Sequence, residues 1–201
     1  MQKIIEVHNT EKEIFLWWLK IRWFIVIVLF AIGILRVGQM EQTYPIIIFI
    51  GTFLGISILN ILFHLQIIKS TALAGALQIT LDVIFASLVV HLTGGMESDF
   101  VWIYLLAVIT ASLTIEKAGG FIAAMIGSMC MLLMIIMYSY GWLIPIDISA
   151  YKADIPSQTI FLISYTTLFT GVAFISSFIS SLLSKTVHEL AGLKHEIEEY
   201  K

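Results

Sequence analysis

Six stretches of the chain are almost wholly apolar, and the breaks between them are short and polar. The runs fall at about 15–35, 44–68, 71–92, 98–115, 119–142 and 157–184. Each is near the roughly 20 residues that carry an α-helix across the hydrocarbon core of a bilayer. Lys69-Ser70 joins the second run to the third, and Glu116-Lys117 joins the fourth to the fifth. Connections that tight force antiparallel neighbours. The pattern predicts an all-α integral membrane fold of six transmembrane helices, residues 14–184, behind a cytoplasmic N-terminal segment, residues 1–13.

The last run does not stop where the bilayer would end. From Ser176 one seam reads Ser176, Ile179, Leu183, Thr186, Leu190, Leu193, Ile197 and Tyr200, in alternating steps of three and four. That is the heptad rhythm of helices that pair through an apolar seam. Lys185, His188, Glu189, Lys194, Glu196, Glu198 and Glu199 lie between the seam positions. A helix lying on the membrane surface would favour Lys and Arg on its polar face, and the acids beyond Lys194 argue against that. Residues 185–201 are therefore expected to be a cytoplasmic exit helix, the start of a parallel coiled coil in a homodimer. Small residues precede it: Gly171, Ala173, Ser176, Ser177, Ser180, Ser181 and Ser184. Ser177, Ser181 and Ser184 share one face, which predicts a close helix contact, within the bundle or across a dimer.

Composition agrees with the pattern. Of 201 residues, 59% are hydrophobic and 12% charged. Mean hydropathy is +0.98. The charged share is about half that of a soluble domain. A net charge of −3, with no basic patch, gives no reason to expect a nucleic-acid partner. The single Cys130 allows no intrachain disulfide. The polar start, Met1 to Glu6 and then Glu11-Lys12-Glu13, does not resemble a cleaved leader.

Charge at the run ends orients the spans. Lys3, Lys12, Lys20, Arg22, Lys69, Lys117, Lys185, Lys194 and Lys201 fall on one side, and Arg36 and Lys152 on the other. The positive side faces the cytoplasm, so both termini are expected there. Trp17, Trp18 and Trp23 at one interface, and Trp102 and Trp142 at the other, suit aromatic belts. The outer segments, 37–43, 93–97 and 143–156, are too short to fold alone. A signal would have to arrive at or within the bilayer.

Asp82 lies about ten residues into the third run, deep in the bilayer, where a carboxyl faces the bundle interior and finds a partner. Asn60, at similar depth on the neighbouring run, is the expected hydrogen-bond partner. His91, Glu97 and Asp99 cluster near the outer end but lack a fixed metal-ligand spacing, so a polar rim is the simpler reading. Gly94 and Gly95 are expected to end a helix and permit a tight turn. No glycine-rich nucleotide loop is present, so no catalytic centre is expected within these residues. His188-Glu189 and His195-Glu196 lack the basic residue and proline that follow a phosphorylated histidine in kinases.

Three features together resemble the six-span membrane region of bacterial sensor histidine kinases, especially those that control type IV pilus genes. They are Leu19-Lys20-Ile21-Arg22-Trp23 in the first run, Asp82 with the stretch from Leu92 to Phe100 and Tyr104-Leu105, and the helix leaving the sixth run. The resemblance implies a membrane sensor in which Asp82, Asn60, His91, Gly94, Gly95, Glu97, Ser98, Asp99 and Phe100 form the signal site or switch. Ser177, Ser181, Leu183, Leu190, Leu193 and Ile197 would then form the dimeric signalling helix. It also implies a lipid bilayer around the chain, a transmembrane protein as one kind of partner, a following kinase core that binds ATP, and a cytoplasmic response regulator. A related group of redox-sensing kinases carries a Gly-Gly-x-x-Asn-Pro-Phe loop linked to quinone. This chain keeps Gly94, Gly95 and Phe100 but has Ser98 and Asp99 where Asn and Pro stand, which weakens the case for a quinone. The rivals are a small six-span transporter or substrate-binding membrane subunit, favoured by chain length and Asp82, and a ligand-free membrane scaffold. The heptad exit and the lack of Gly/Pro-broken spans speak against transport.

Overall fold

A computed structural model describes residue 20, positions 23, 24, 26–28, 30, 31 and 34, and residues 43–65, 72–114, 116–144 and 154–199. The described part of the first run is helical. Five helices follow: α1 (Thr43–His64), α2 (Ala72–Leu92), α3 (Ile103–Thr114), α4 (Glu116–Ser139) and α5 (Ile155–Glu199). They correspond to the second to sixth runs. No strand occurs among the described residues. Three of these helices contain apolar stretches long enough to cross a bilayer, Gly75–Leu92, Ala118–Ser139 and Ile155–Val187.

Helices α2 to α5 form one bundle, with α1 packed chiefly on α2. Phe30 of the first run stacks on Phe53 with ring centroids 3.7 Å apart. The bundle core is built largely from small or flexible side chains: Ala86, Ala107, Ala111, Ala123, Ala124, Ala173, Met131 and Met134. In lipid the apolar environment cannot drive helices together, so close backbone approach must. Gly120 shows how close. A Cβ there would collide with Ser112 Oγ and stand 3.3 Å from Ser177 Oγ. Gly127 likewise leaves room for the Tyr104 ring, 3.1 Å from where its Cβ would be. The outward face of α4 is apolar, with Phe121, Met125, Met129, Leu132 and Ile136 exposed. Those positions face lipid, and their exposure needs no further partner.

Two departures from the expected spans affect the site. The fourth run is not helical from Ser98. Residues 98–102 form overlapping turns, with Val101 N–H donating to Ser98 C=O, Ile103 N–H to Phe100 C=O and Tyr104 N–H to Val101 C=O. Helix α3 has 12 residues. At about 1.5 Å per residue it spans about 18 Å. Ser98 is extended (φ −64°, ψ 132°) and its Oγ accepts the Phe100 N–H at 3.1 Å, a side-chain turn that holds the chain out of helix before Ile103. The second departure is at the other end. Helix α5 runs unbroken for 45 residues. Transmembrane and exit segments are one rod, about 67 Å long.

Candidate functional site

The bundle has a turn end, where residues 93–102 lie, and an exit end, where α5 leaves. At the turn end α2 stops at Leu92 and the chain reverses through Gly94 (φ 120°) and Gly95 (φ 67°) into a single 3-10 turn, Gly95–Glu97. Left-handed φ at two successive positions is what glycine permits and side chains resist. Gly95 is constrained twice, because an added Cβ would lie 3.0 Å from Tyr138 Cε2. Tyr138 in turn shares a hydrogen bond with His91 Nδ1 at 2.9 Å. Thr93 Oγ1 and Ser98 Oγ are hydrogen-bonded across the turn. Thr93 Oγ1 also donates to Val89 C=O at 2.7 Å. The loop is thus tied to α2 by hydroxyl contacts and packs against Tyr138 of α4.

Beside this loop, between α3 and the first half of α5, lies an open cleft of about 560 Å³. Glu97, Ser98, Asp99 and Trp102 line it from the loop, Leu105 from the start of α3, and Ser157, Ile160, Phe161, Tyr165 and Leu168 from α5. Phe161 and Tyr165 stack at 6.0 Å, Tyr165 and Phe169 at 6.3 Å, and Phe169 meets Tyr104 at 5.2 Å. This aromatic ladder leads from the cleft into the core. It ends on Tyr104, whose hydroxyl donates to Ser87 Oγ on α2 at 2.7 Å. Asp154 sits just before α5 and accepts the Ser157 hydroxyl at 2.9 Å.

The structure therefore gathers Glu97, Ser98 and Asp99 into one cleft, with Gly94, Gly95 and Phe100 shaping the loop that holds them. His91 does not line the cleft, and its Nδ1 is hydrogen-bonded to Tyr138. Among the described residues no group of three His, Cys, Asp or Glu could hold a metal ion. Asp82 and Asn60 are not in the cleft; Asp82 is half-buried, ten residues back along α2. The expected hydrogen bond between them does not form, since neither Asn60 Nδ2 nor Asn60 Oδ1 has a partner. Asn60 is 0% exposed. Equal depth on two helices does not decide which faces meet. Sequence reasoning missed the α5 contribution, Phe161 and Tyr165 above all, because an aromatic in an apolar run carries no signal of its own.

At the exit end Ser112 and Ser176 share a hydrogen bond at 2.8 Å, joining α3 to α5. Ser176 and Ser177 are both 7% exposed. These two belong to the bundle interior, Ser181 is half-buried, and the seam is uncovered only from Ile179 onward. Ile179, Leu183, Leu190 and Leu193 are 45–60% exposed. Lys185 Nζ pairs with Glu189 Oε1 at 3.8 Å, one turn along the same rod. The side chain of Ile197, and the cations Arg36 and Lys152, lie outside the described residues.

A bundle of this kind, all helical, apolar on its outer face and tied internally by small residues and hydroxyl pairs, is a multi-pass membrane domain embedded in lipid. The chain belongs to the PilS-like transmembrane domain family, whose model matches residues 7–190. Comparison with curated proteins and with solved structures finds no match.

Proposed function

We propose that this chain is the membrane sensor and signal-transmitting domain of a two-component histidine kinase. In this reading six helices span a bacterial inner membrane, with both termini in the cytoplasm. Two copies pair through the uncovered part of α5. Kinase domains joined to the exit coil bind ATP and pass phosphate to a response regulator. A signal borne by the membrane binds at the turn end and shifts α5, and the coiled coil transmits the shift.

The observation that carries this reading is the unbroken α5. Five residues of its first half line the cleft, and its last turns present Leu190 and Leu193 to solvent. A continuous helix has no joint at which a displacement could be absorbed. A signal can bias such a rod only if it binds two positions of it with different affinity. Single cysteines placed along α5 from Ile179 to Leu193, in a chain whose Cys130 is replaced by Ala, test the arrangement. Disulfides should form at Ile179, Leu183, Leu190 and Leu193, and weakly at Lys185 and Glu189. Uniform or absent crosslinking in native membranes would refute the paired seam.

A further inference from the structure

We infer that Ser57 and Asn60 of α1 and Gln78 of α2 together hold a small cluster of ordered water inside the membrane domain. Among the described residues, these two helices carry four buried side-chain atoms without a hydrogen-bond partner: Ser57 Oγ, Asn60 Nδ2, Asn60 Oδ1 and Gln78 Nε2. Asn60 is 0% exposed and Gln78 3%. Buried polar groups nearly always find a partner, and one left bare in a lipid-embedded helix loses its hydration and gains nothing in exchange. Both ends of the Asn60 amide are open, so turning it end for end changes nothing.

Packing places these atoms at neighbouring depths. Helices α1 and α2 are antiparallel neighbours in contact. A Cβ on Gly55 would lie 3.4 Å from the Phe85 ring, which fixes their register. At about 1.5 Å per residue, Ser57 and Asn60 lie about 3 Å and about 7.5 Å along α1 from that contact, and Gln78 about 10 Å along α2, all in the same direction. Gln78 is two turns from Phe85 on one face of α2, so it is turned toward α1. Asn60 is two turns from Phe53, which stacks on Phe30 of the first run. The two amides thus look into one junction of helices from different sides. The atom types decide the occupant. Nδ2 and Nε2 donate, and Oδ1 accepts. A cation would serve only the oxygens, and an anion only the N–H groups. Water does both, and buried water typically makes about three hydrogen bonds to such groups. The burial of Asn60 leaves no open side from which a lipid or a partner helix could reach it. Asp82 lies one turn beyond Gln78 on the same face of α2, so the cluster puts water within a turn of the membrane carboxyl.

The inference is independent of the sensor reading, since internal water requires neither a dimer nor a kinase. The chain has two asparagines, Asn9 and Asn60, and one cysteine, Cys130. With asparagine isotope-labelled at its side-chain nitrogen and Asn9→Gln in place, Asn60 gives the one labelled side-chain amide signal. The backbone N–H of Cys130, labelled in the same sample, lies mid-helix in α4 and is the dry reference. In phosphatidylcholine bilayers, solid-state NMR reads how quickly magnetisation passes from water to each of these protons. Transfer to the Asn60 amide should be severalfold faster than transfer to Cys130. Ser57→Ala/Gln78→Leu should remove most of that advantage while circular dichroism shows the helices intact. Equal transfer to Asn60 and Cys130 overturns the inference, as does an advantage that the double variant leaves unchanged. The first comparison alters no residue of the site, so misfolding of the double variant cannot hide its result.

Discussion

Gly120 is the residue most sharply constrained by its neighbours. Its Cα lies where α3, α4 and α5 converge, and a methyl group would collide with Ser112 Oγ. Gly120→Ala should destabilise the bundle by about 1–3 kcal/mol, the usual cost of overpacking. Ser112→Ala removes the colliding oxygen. The double variant should therefore recover part of the loss, giving a coupling above about 0.5 kcal/mol in a double-mutant cycle read by SDS-induced unfolding. Gly95→Ala combines a left-handed φ with a crowded Tyr138, and should cost at least about 1–2 kcal/mol on the same assay. Asp82→Asn, by contrast, should leave insertion and expression intact while altering the signalling output proposed above; unchanged output at normal protein levels would reduce Asp82 to a packing role. None of the glycine contacts was readable from the chain. The glycine pair at 94–95 announced a turn because consecutive glycines have few other uses. Gly120 meets Ser112 and Ser177, residues far from it in sequence, and only the packing brings them together.

At the scale of elements, long apolar runs were legible because lipid demands them, but Glu116-Lys117, expected as a connection, is the first turn of α4. Within an apolar run nothing marks where helix gives way to turn. Phe100, Val101 and Trp102 read as the start of an apolar helix, yet the extended Ser98, its Oγ bonded to Phe100 N–H, leads into turns and α3 begins at Ile103. The heptad seam was legible as periodicity, but Ser176 and Ser177 were claimed by the bundle. The rod offers a direct element-scale test. One residue inserted after Glu189 rotates everything beyond it by about 100° relative to the bundle. Crosslinking should persist at Ile179 and Leu183 and be lost at Leu193 in its shifted position. The Lys185–Glu189 pair is 75% and 63% exposed, so Lys185→Ala should change helix stability by less than about 0.5 kcal/mol.

Taken whole, the molecule sets two neighbours of very different length side by side. The apolar stretch of α5, Ile155–Val187, has 33 residues, and α3 has 12. At about 1.5 Å per residue these are about 50 Å and about 18 Å, against a hydrocarbon core of about 30 Å. One is too long for the bilayer and the other too short, yet they are in contact. Hydrophobic mismatch of opposite sign at adjoining surfaces cannot be relieved by the lipid alone: thinning suits α3 and strands α5, thickening does the reverse. The remaining freedom is the tilt of α5. Reconstitution in bilayers of short and long acyl chains should therefore change the inclination of that helix, measurable by oriented circular dichroism. The lipids around this domain are accordingly a mechanical load on α5, and acyl-chain length is a variable that any reconstituted assay of it has to hold constant.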